Sequence, residues 1–180
     1  MDWHAAVITI GDDMRLRRWR EDDADALLLH ANDEAVGRGL SDRFPYPYTR
    51  TDAEAFLSGK VVDLDDPVFA IEIDGQACGA IGARRLAGER RVGAELGYWI
   101  GQRHWGQGRM SRIVGAYVPW VMGALDLHRL QATVLDFNQA SARVLLKNGF
   151  AEEGCMRRAV LKHGKVHDLR LFAITRDLPA

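Results

Sequence analysis

One α/β domain, a mixed and mostly antiparallel sheet with helices on both faces, is the fold class this sequence predicts. Three observations carry it. From Pro67 to Ile100 apolar residues recur with period two across turns at Asp74-Gly75 and Ala87-Gly88-Glu89, so three antiparallel strands follow one another. After residue 100, apolar-rich helical segments alternate with strand segments, which builds a layered sheet rather than a bundle or a barrel. No repeat, low-complexity run or interdomain linker interrupts the 180 residues, a length that suits one domain with a real core.

The elements are expected in this order. Met14 to Trp19 alternates apolar and basic residues and reads as a first strand. Asp22 or Asp23 then caps a helix carrying Ala24, Leu27, Leu28 and Ala31, its acids placed where the helix dipole favours them and in solvent. A short helix within Asn32 to Leu40 is expected to end near Gly37 or Gly39. Phe44-Pro45-Tyr46-Pro47-Tyr48 cannot be helical, because each proline pushes its predecessor towards extended geometry. Thr51 or Asp52 caps a helix holding Ala55, Phe56 and Leu57. The strands Val68 to Ile73, Ala77 to Arg85 and Arg91 to Ile100 follow, with Arg84, Arg85, Arg90 and Arg91 around a solvated hairpin end. Met110 to Leu125 is an apolar helix in which Pro119 removes a hydrogen bond to the Gly115 carbonyl and should introduce a kink. Arg129 to Leu135 is apolar enough for a central strand. Asn138 to Lys147 is a helix stopped by Asn148-Gly149, and Gly154 to Lys162 and His167 to Thr175 form a last hairpin through His163-Gly164-Lys165.

Composition narrows the function. Apolar residues make up 47% and charged residues 27%, and the formal charge is −1, so no basic field suggests nucleic acid as a partner. Cys78 and Cys155 have no Cys or His near them at zinc spacing, and His30, His128, His163 and His167 show no metal spacing either. No metal is therefore expected, and those histidines are read as surface or strand residues. The first residues lack a basic, apolar leader, and no window reaches the ~20 apolar residues of a membrane span, which leads to the expectation of a cytoplasmic protein with no membrane partner.

The stretch Glu95 to Ser111, E-L-G-Y-W-I-G-Q-R-H-W-G-Q-G-R-M-S, organises the chain. It starts as a strand with Leu96, Tyr98 and Ile100 on one face, breaks into Gly101, Gly106 and Gly108, and continues as a helix. Glycines let successive N–H groups turn into one concavity, and a new helix adds its positive end there. Such a turn suits a phosphate or pyrophosphate, with Arg103 and Arg109 adding charge at its rim. A plain strand-to-helix turn with glycines for close packing accounts for the same spacing.

Three separated patches resolve the matter. Arg103-His104-Trp105-Gly106-Gln107-Gly108 resembles the R/Q-x-x-G-x-G/A loop of the GNAT superfamily of N-acetyltransferases. The preceding G-Y-W-I, the later N-Q-A-S-A-R-V-L-L-K-N-G-F from Asn138, E-G-C-M-R from Glu153 and the early L-R-R-W-R-E-D-D-A resemble the ribosomal-protein branch, the RimJ/RimL type. The likeness spans nearly the whole chain, with its motif core at about residues 90–155.

The resemblance implies transfer of an acetyl group from acetyl-CoA, without a metal, to a primary amine of a peptide N-terminus or a small molecule. It implies a sheet splayed between the strands holding Glu95 to Ile100 and Leu130 to Leu135. Trp99 and Ile100 would then offer backbone to pantetheine. Arg103, His104, Trp105, Gly106, Gln107, Gly108, Arg109, Met110 and Ser111 would hold the pyrophosphate, and Asn138 and Asn148 would contact CoA, with capping of the helix start and of the helix end as the stronger local reading of each. Ser141 is the expected proton donor to the CoA sulfur, with capping or packing of a helix start as its structural role. Glu95 is the general-base candidate, with pairing to a nearby arginine as its equal alternative. Relatives of this branch can carry an acid where this chain has Val160, which leaves Glu95, Asp168 or water for that task. Asp33, Glu34, Tyr46 and Tyr48 are placed near the acceptor amine. A homodimer also accords with the resemblance, and an acyl-CoA-binding sensor without turnover is the other reading of the same residues.

Overall fold

The computed structural model describes residues 3–176. Eight strands form one sheet in the order β1-β2-β3-β4-β5-β6-β8-β7, where β1 is Ile8–Ile10, β2 Met14–Arg17, β3 Val68–Ile73, β4 Gln76–Arg85, β5 Gly93–Ile100, β6 Arg129–Leu135, β7 Ala151–Lys162 and β8 Lys165–Thr175. Every neighbouring pair is antiparallel except β5 and β6. The helices are α1 (Ala24–Ala31), α2 (Glu34–Arg38), α3 (Arg50–Leu57), α4 (Arg109–Ala124) and α5 (Gln139–Lys147).

Two apolar clusters lie on the sheet. The larger joins Leu16, Phe69, Ile81, Leu96 and Leu130 to Ile113, Tyr117 and Val121 of α4 and Leu145 of α5. The smaller gathers Trp19, Leu27, Ala31, Ala53, Ala70 and Ala80 beneath α1 and α3. Helices thus cover both faces, as patterning predicts. Coverage on both faces also explains why Leu16 and Arg17, neighbours on β2, are both buried.

Burial of Arg17 corrects two expectations. Asp23 stands before α1, yet its carboxylate makes no side-chain cap; it takes two 2.7 Å hydrogen bonds from Arg17 Nη1 and Nη2 instead. Arg17 also bonds Glu72 across the strand pair, and these charged groups are almost fully buried rather than solvated. The cap of α3 is Thr49, whose hydroxyl accepts from Asp52 N–H in a reciprocal capping box, so Asp52 sits three residues inside. Strand β1 comes before the expected first strand and reaches β2 through a turn at Gly11, where φ is +66°. Strand β2 ends at Arg17, because Trp19 leaves the sheet to pack edge-on against Phe56, 5.1 Å away. Helix α4 runs on through Pro119.

The feature that positions the site is the β5–β6 pair. Its parallel register covers only Gly93↔Arg129, Ala94↔Leu130 and Glu95↔Gln131. Beyond Glu95 the two strands part. β5 keeps pairing with β4 as far as Ile100, and β6 keeps pairing with β8 as far as Leu135, so each is anchored on its outer side. Among the described residues, the inner edges at the fork have no strand partner.

Candidate active site

A cleft of about 1220 Å³ fills the fork. One wall is β5 from Leu96 to Ile100, the other is Ala132, Thr133 and Val134 of β6, and the start of α5 and the loop before α4 close its ends.

The loop follows from its glycines. Gly106 and Gly108 have φ of +73° and +71°, and a Cβ at either would meet nothing within 4 Å. Conformation, not crowding, therefore demands glycine here. Gly108 occupies the cap position of α4, and the first bond back into the helix runs from Arg112 N–H to the Gly108 carbonyl at 3.2 Å. The N–H groups of Arg109, Met110 and Ser111 are left for an outside acceptor, with the positive end of a 16-residue helix behind them. Gly106, Gly108, Arg109, Met110 and Ser111 all line the cleft, as do His104 and Trp105. Trp105 is 45% exposed and donates from Nε1 to the Ile100 carbonyl at 2.8 Å, which pins the loop to the end of β5.

Asn138 and Ser141 arrive together from the other side. Asn138 caps α5 through its side-chain oxygen, which accepts from Ser141 N–H at 3.2 Å. Both line the cleft with Trp99 and Ile100. Ser141 Oγ lies 2.8 Å from the hydroxyl of Tyr98. Burial pushes the Tyr98 phenol up to about 12, with the hydrogen bond to Ser141 opposing in part, so it stays a neutral hydroxyl at physiological pH. Strand alternation puts Tyr98 on a face with Leu96 and Ile100 and aims it at α5, where Ser141 sits, a role that no motif in the sequence marks.

Four expected site residues fall elsewhere. Glu95 is the last paired residue of β5 and is absent from the cleft lining; its carboxylate accepts from Arg84 Nη2 at 2.8 Å across the β4–β5 pair. Arg103 and Gln107 are exposed on the outer side of the loop and do not line the cleft, and the Gln107 amide donates to the Arg103 carbonyl at 3.0 Å. Asn148 ends α5 on the far side, where its amide donates to the Val144 carbonyl and its oxygen abuts Gly115 of α4. Asp33 and Glu34 do line the cleft, although Asp33 spends one oxygen capping α2. Tyr46 and Tyr48 do not, and Tyr48 is buried. Asp168 accepts the Arg158 N–H at 2.7 Å, so it is held within the β7–β8 hairpin, where Val160 pairs with His167.

A fork in the sheet, an anion-ready helix start and a hydroxyl pair between them match a known arrangement. The model of the acetyltransferase (GNAT) domain matches residues 13–151. The chain belongs to the GNAT acetyltransferase family. Among curated relatives, an uncharacterized N-acetyltransferase, YoaA of Bacillus subtilis, is 38% identical over 98 residues, 54% of this chain and 55% of its own length. The ribosomal-protein-serine acetyltransferase of Escherichia coli is 30% identical over 106 residues, 59% of each chain. The match thus spans little more than half the length of these relatives. Among solved structures, RimL, a ribosomal L7/L12 alpha-N-protein acetyltransferase in complex with coenzyme A, superposes with a TM-score of 0.84 at 23% identity over 94% of this chain and 98% of its own. The ribosomal-protein-S5-alanine acetyltransferase of Vibrio fischeri gives 0.81 at 21% identity over 96% and 98%. At such identities these structures speak for the fold. No helix among the described residues is long and apolar enough to cross a membrane.

Proposed function

We propose that this protein transfers the acetyl group of acetyl-CoA to a primary amine, with a peptide or protein N-terminus as the acceptor class. The observation that carries the proposal is the Tyr98–Ser141 hydroxyl pair lying in one cleft with the helix start at Gly108. A cofactor whose pyrophosphate sits on the Arg109–Ser111 N–H groups runs its pantetheine along the unpaired edge of β5, towards Ser141. A relative named for a ribosomal-protein serine and a structural neighbour named as an alpha-N-protein acetyltransferase support the acceptor class, as does an end of the cleft edged by Glu34, which attracts an ammonium.

The reaction needs a neutral amine, a stabilised oxyanion and a proton for the departing sulfur. Fixing amine and thioester in attack geometry supplies most of the gain. An N–H on the free edge of β5 suits the carbonyl oxygen as negative charge builds on it. As the C–S bond breaks, the Ser141 hydroxyl faces the sulfur while the Tyr98 hydroxyl donates to Ser141 Oγ and orients it. The amine nitrogen loses one proton and the sulfur gains one. With Glu95 and Asp168 engaged elsewhere, water in the cleft carries the amine proton away.

Thiol release from acetyl-CoA in the presence of N-terminal peptides and small amines tests the proposal. Turnover that depends on a free α-amine is the expected result. CoA binding without turnover on any acceptor would make the protein an acyl-CoA sensor, and an absence of CoA binding would end both readings.

A further inference from the structure

Directly behind the glycine loop, three side chains from distant parts of the chain converge: His30 of α1, Cys78 of β4 and His104 of the loop. Their donor atoms all lie within 4.8 Å of one another. His30 and Cys78 are buried, at 3% and 1% exposure. The hydrogen bonds around the two imidazoles fix which ring nitrogen of each is protonated. His30 Nε2 lies 3.1 Å from the Gln76 side-chain oxygen, which can only accept, so this nitrogen carries the proton and Nδ1 keeps its lone pair. His104 Nδ1 lies 2.9 Å from Arg109 Nη1, which can only donate, so Nδ1 accepts and the proton falls on Nε2. That Nε2 is buried and has no hydrogen-bond partner among the described residues. A buried N–H without an acceptor costs about 1–3 kcal/mol, which needs a reason.

We propose that His30 Nδ1, Cys78 Sγ and His104 Nε2 form a binding site for a zinc-class divalent cation that braces the cofactor loop from behind. The donor set is apt: two imidazoles and a thiolate suit a borderline-soft ion, and a carbonyl holding the second nitrogen of His30 is the outer-sphere partner that orients a metal-bound imidazole. Bonds of about 2.0–2.3 Å in a tetrahedron put donors about 3.5 Å apart, so the three must close by about 1 Å, a side-chain movement. Gly101 permits the arrangement, since a Cβ there would stand 2.3 Å from His30 Nδ1. Water completes the fourth position.

Binding has a definite proton balance. The Cys78 thiol, which burial keeps protonated with its pKa pushed up to about 11, gives its proton to solvent. The His104 proton moves from Nε2 to Nδ1, so Nδ1 can no longer accept from Arg109. The site gains one net positive charge, and Arg109 Nη1, on a guanidinium that lines the cleft and whose Nη2 lies 3.6 Å from Asp13, is freed towards an anion there. Metal should therefore tighten CoA, by about fivefold or more if coupling is of ordinary size. This last consequence rests on the function proposed above; the coordination does not.

The test titrates chelator-treated full-length protein with Co²⁺, a spectroscopic stand-in for Zn²⁺. One equivalent should saturate a thiolate-to-cobalt charge-transfer band, release one proton and be displaced by Zn²⁺. Cys155→Ser should keep the band. Cys78→Ser should abolish it, and His104→Gln should weaken binding by more than the roughly 10–100-fold that loss of an outer-sphere partner costs. His104→Gln replaces a half-buried loop residue and reports independently if Cys78→Ser fails to fold. No band in the parent protein, or a band that survives Cys78→Ser or resists His104→Gln, overturns the site. CoA affinity that does not change with Zn²⁺ overturns the coupling to the loop.

Discussion

Tyr98→Phe removes one oxygen and keeps the ring, so it removes the contacts of that hydroxyl with Ser141, 2.8 Å to Oγ and 3.2 Å to the carbonyl. In the folded protein the lost hydrogen bond should cost about 1 kcal/mol, or about 2–4 °C in Tm for a chain of this size. No cavity opens, and Ser141 N–H keeps its bond to Asn138. The kinetic cost should be larger. Without the Tyr98 donor, Ser141 is free to turn away from the sulfur, and a hydrogen bond to developing thiolate charge is worth about 1.5–3 kcal/mol. Turnover should fall roughly 10–150-fold, with the KM for acetyl-CoA nearly unchanged because pyrophosphate and pantetheine are held elsewhere. Ser141→Ala should cost more, about 10²–10⁴-fold. The double variant should be no slower than Ser141→Ala alone, since Tyr98 acts through Ser141. Steady-state thiol release with saturating peptide measures all three. Wild-type kcat in Tyr98→Phe, or losses that multiply in the double variant, would refute the pairing as a functional unit.

Further expectations concern the loop, the buried charges and pH. Gly108→Ala should weaken CoA while costing only about 1–2 kcal/mol of stability, because its Cβ meets nothing and only the positive φ is strained; Gly101→Ala, whose Cβ would strike buried His30, should cost more in Tm, and a reversed order in a melting experiment would contradict this account. Asp23→Ala leaves Arg17 buried with half its partners and should destabilise by about 3–5 kcal/mol in denaturant titration. His30 and His104 are both held below the ordinary imidazole pKa, His30 by burial and His104 by burial with Arg109 next. The unfolded chain therefore binds more protons below about pH 6.5, and stability should drop as pH falls from there. His30→Gln should flatten that acid limb in chemical unfolding, and a limb of unchanged slope would show that other groups cause it.

Much of the molecule was legible before any coordinates. Strand and helix periods placed β3 to β6, α4, α5 and the last hairpin, because each element must bury one face and the chain records which. The glycine turn was legible too, since positive φ leaves its mark as a residue type. Element ends were less so: Thr49 rather than Thr51 caps α3, and local pattern does not choose between them, because each has an acid three residues on, Asp52 and Glu54.

What a carboxylate or an imidazole meets was not legible. Glu95 stands one residue short of where the strands part, and Arg84 faces it only because of the β4–β5 register. Asn148 is turned to the back of α5 by helical rotation, away from the cleft that Asn138 and Ser141 line. Most plainly, His30, Cys78 and His104 are far apart in the chain, and linear spacing assigned them no common purpose. A sequence determines which backbone turns and apolar stripes exist, because those follow from local conformation and neighbouring residues. Which polar side chains come to share one water-poor space is decided by the packing of whole elements, and here that packing gathers the histidines and the cysteine under the loop and seats Tyr98 against Ser141.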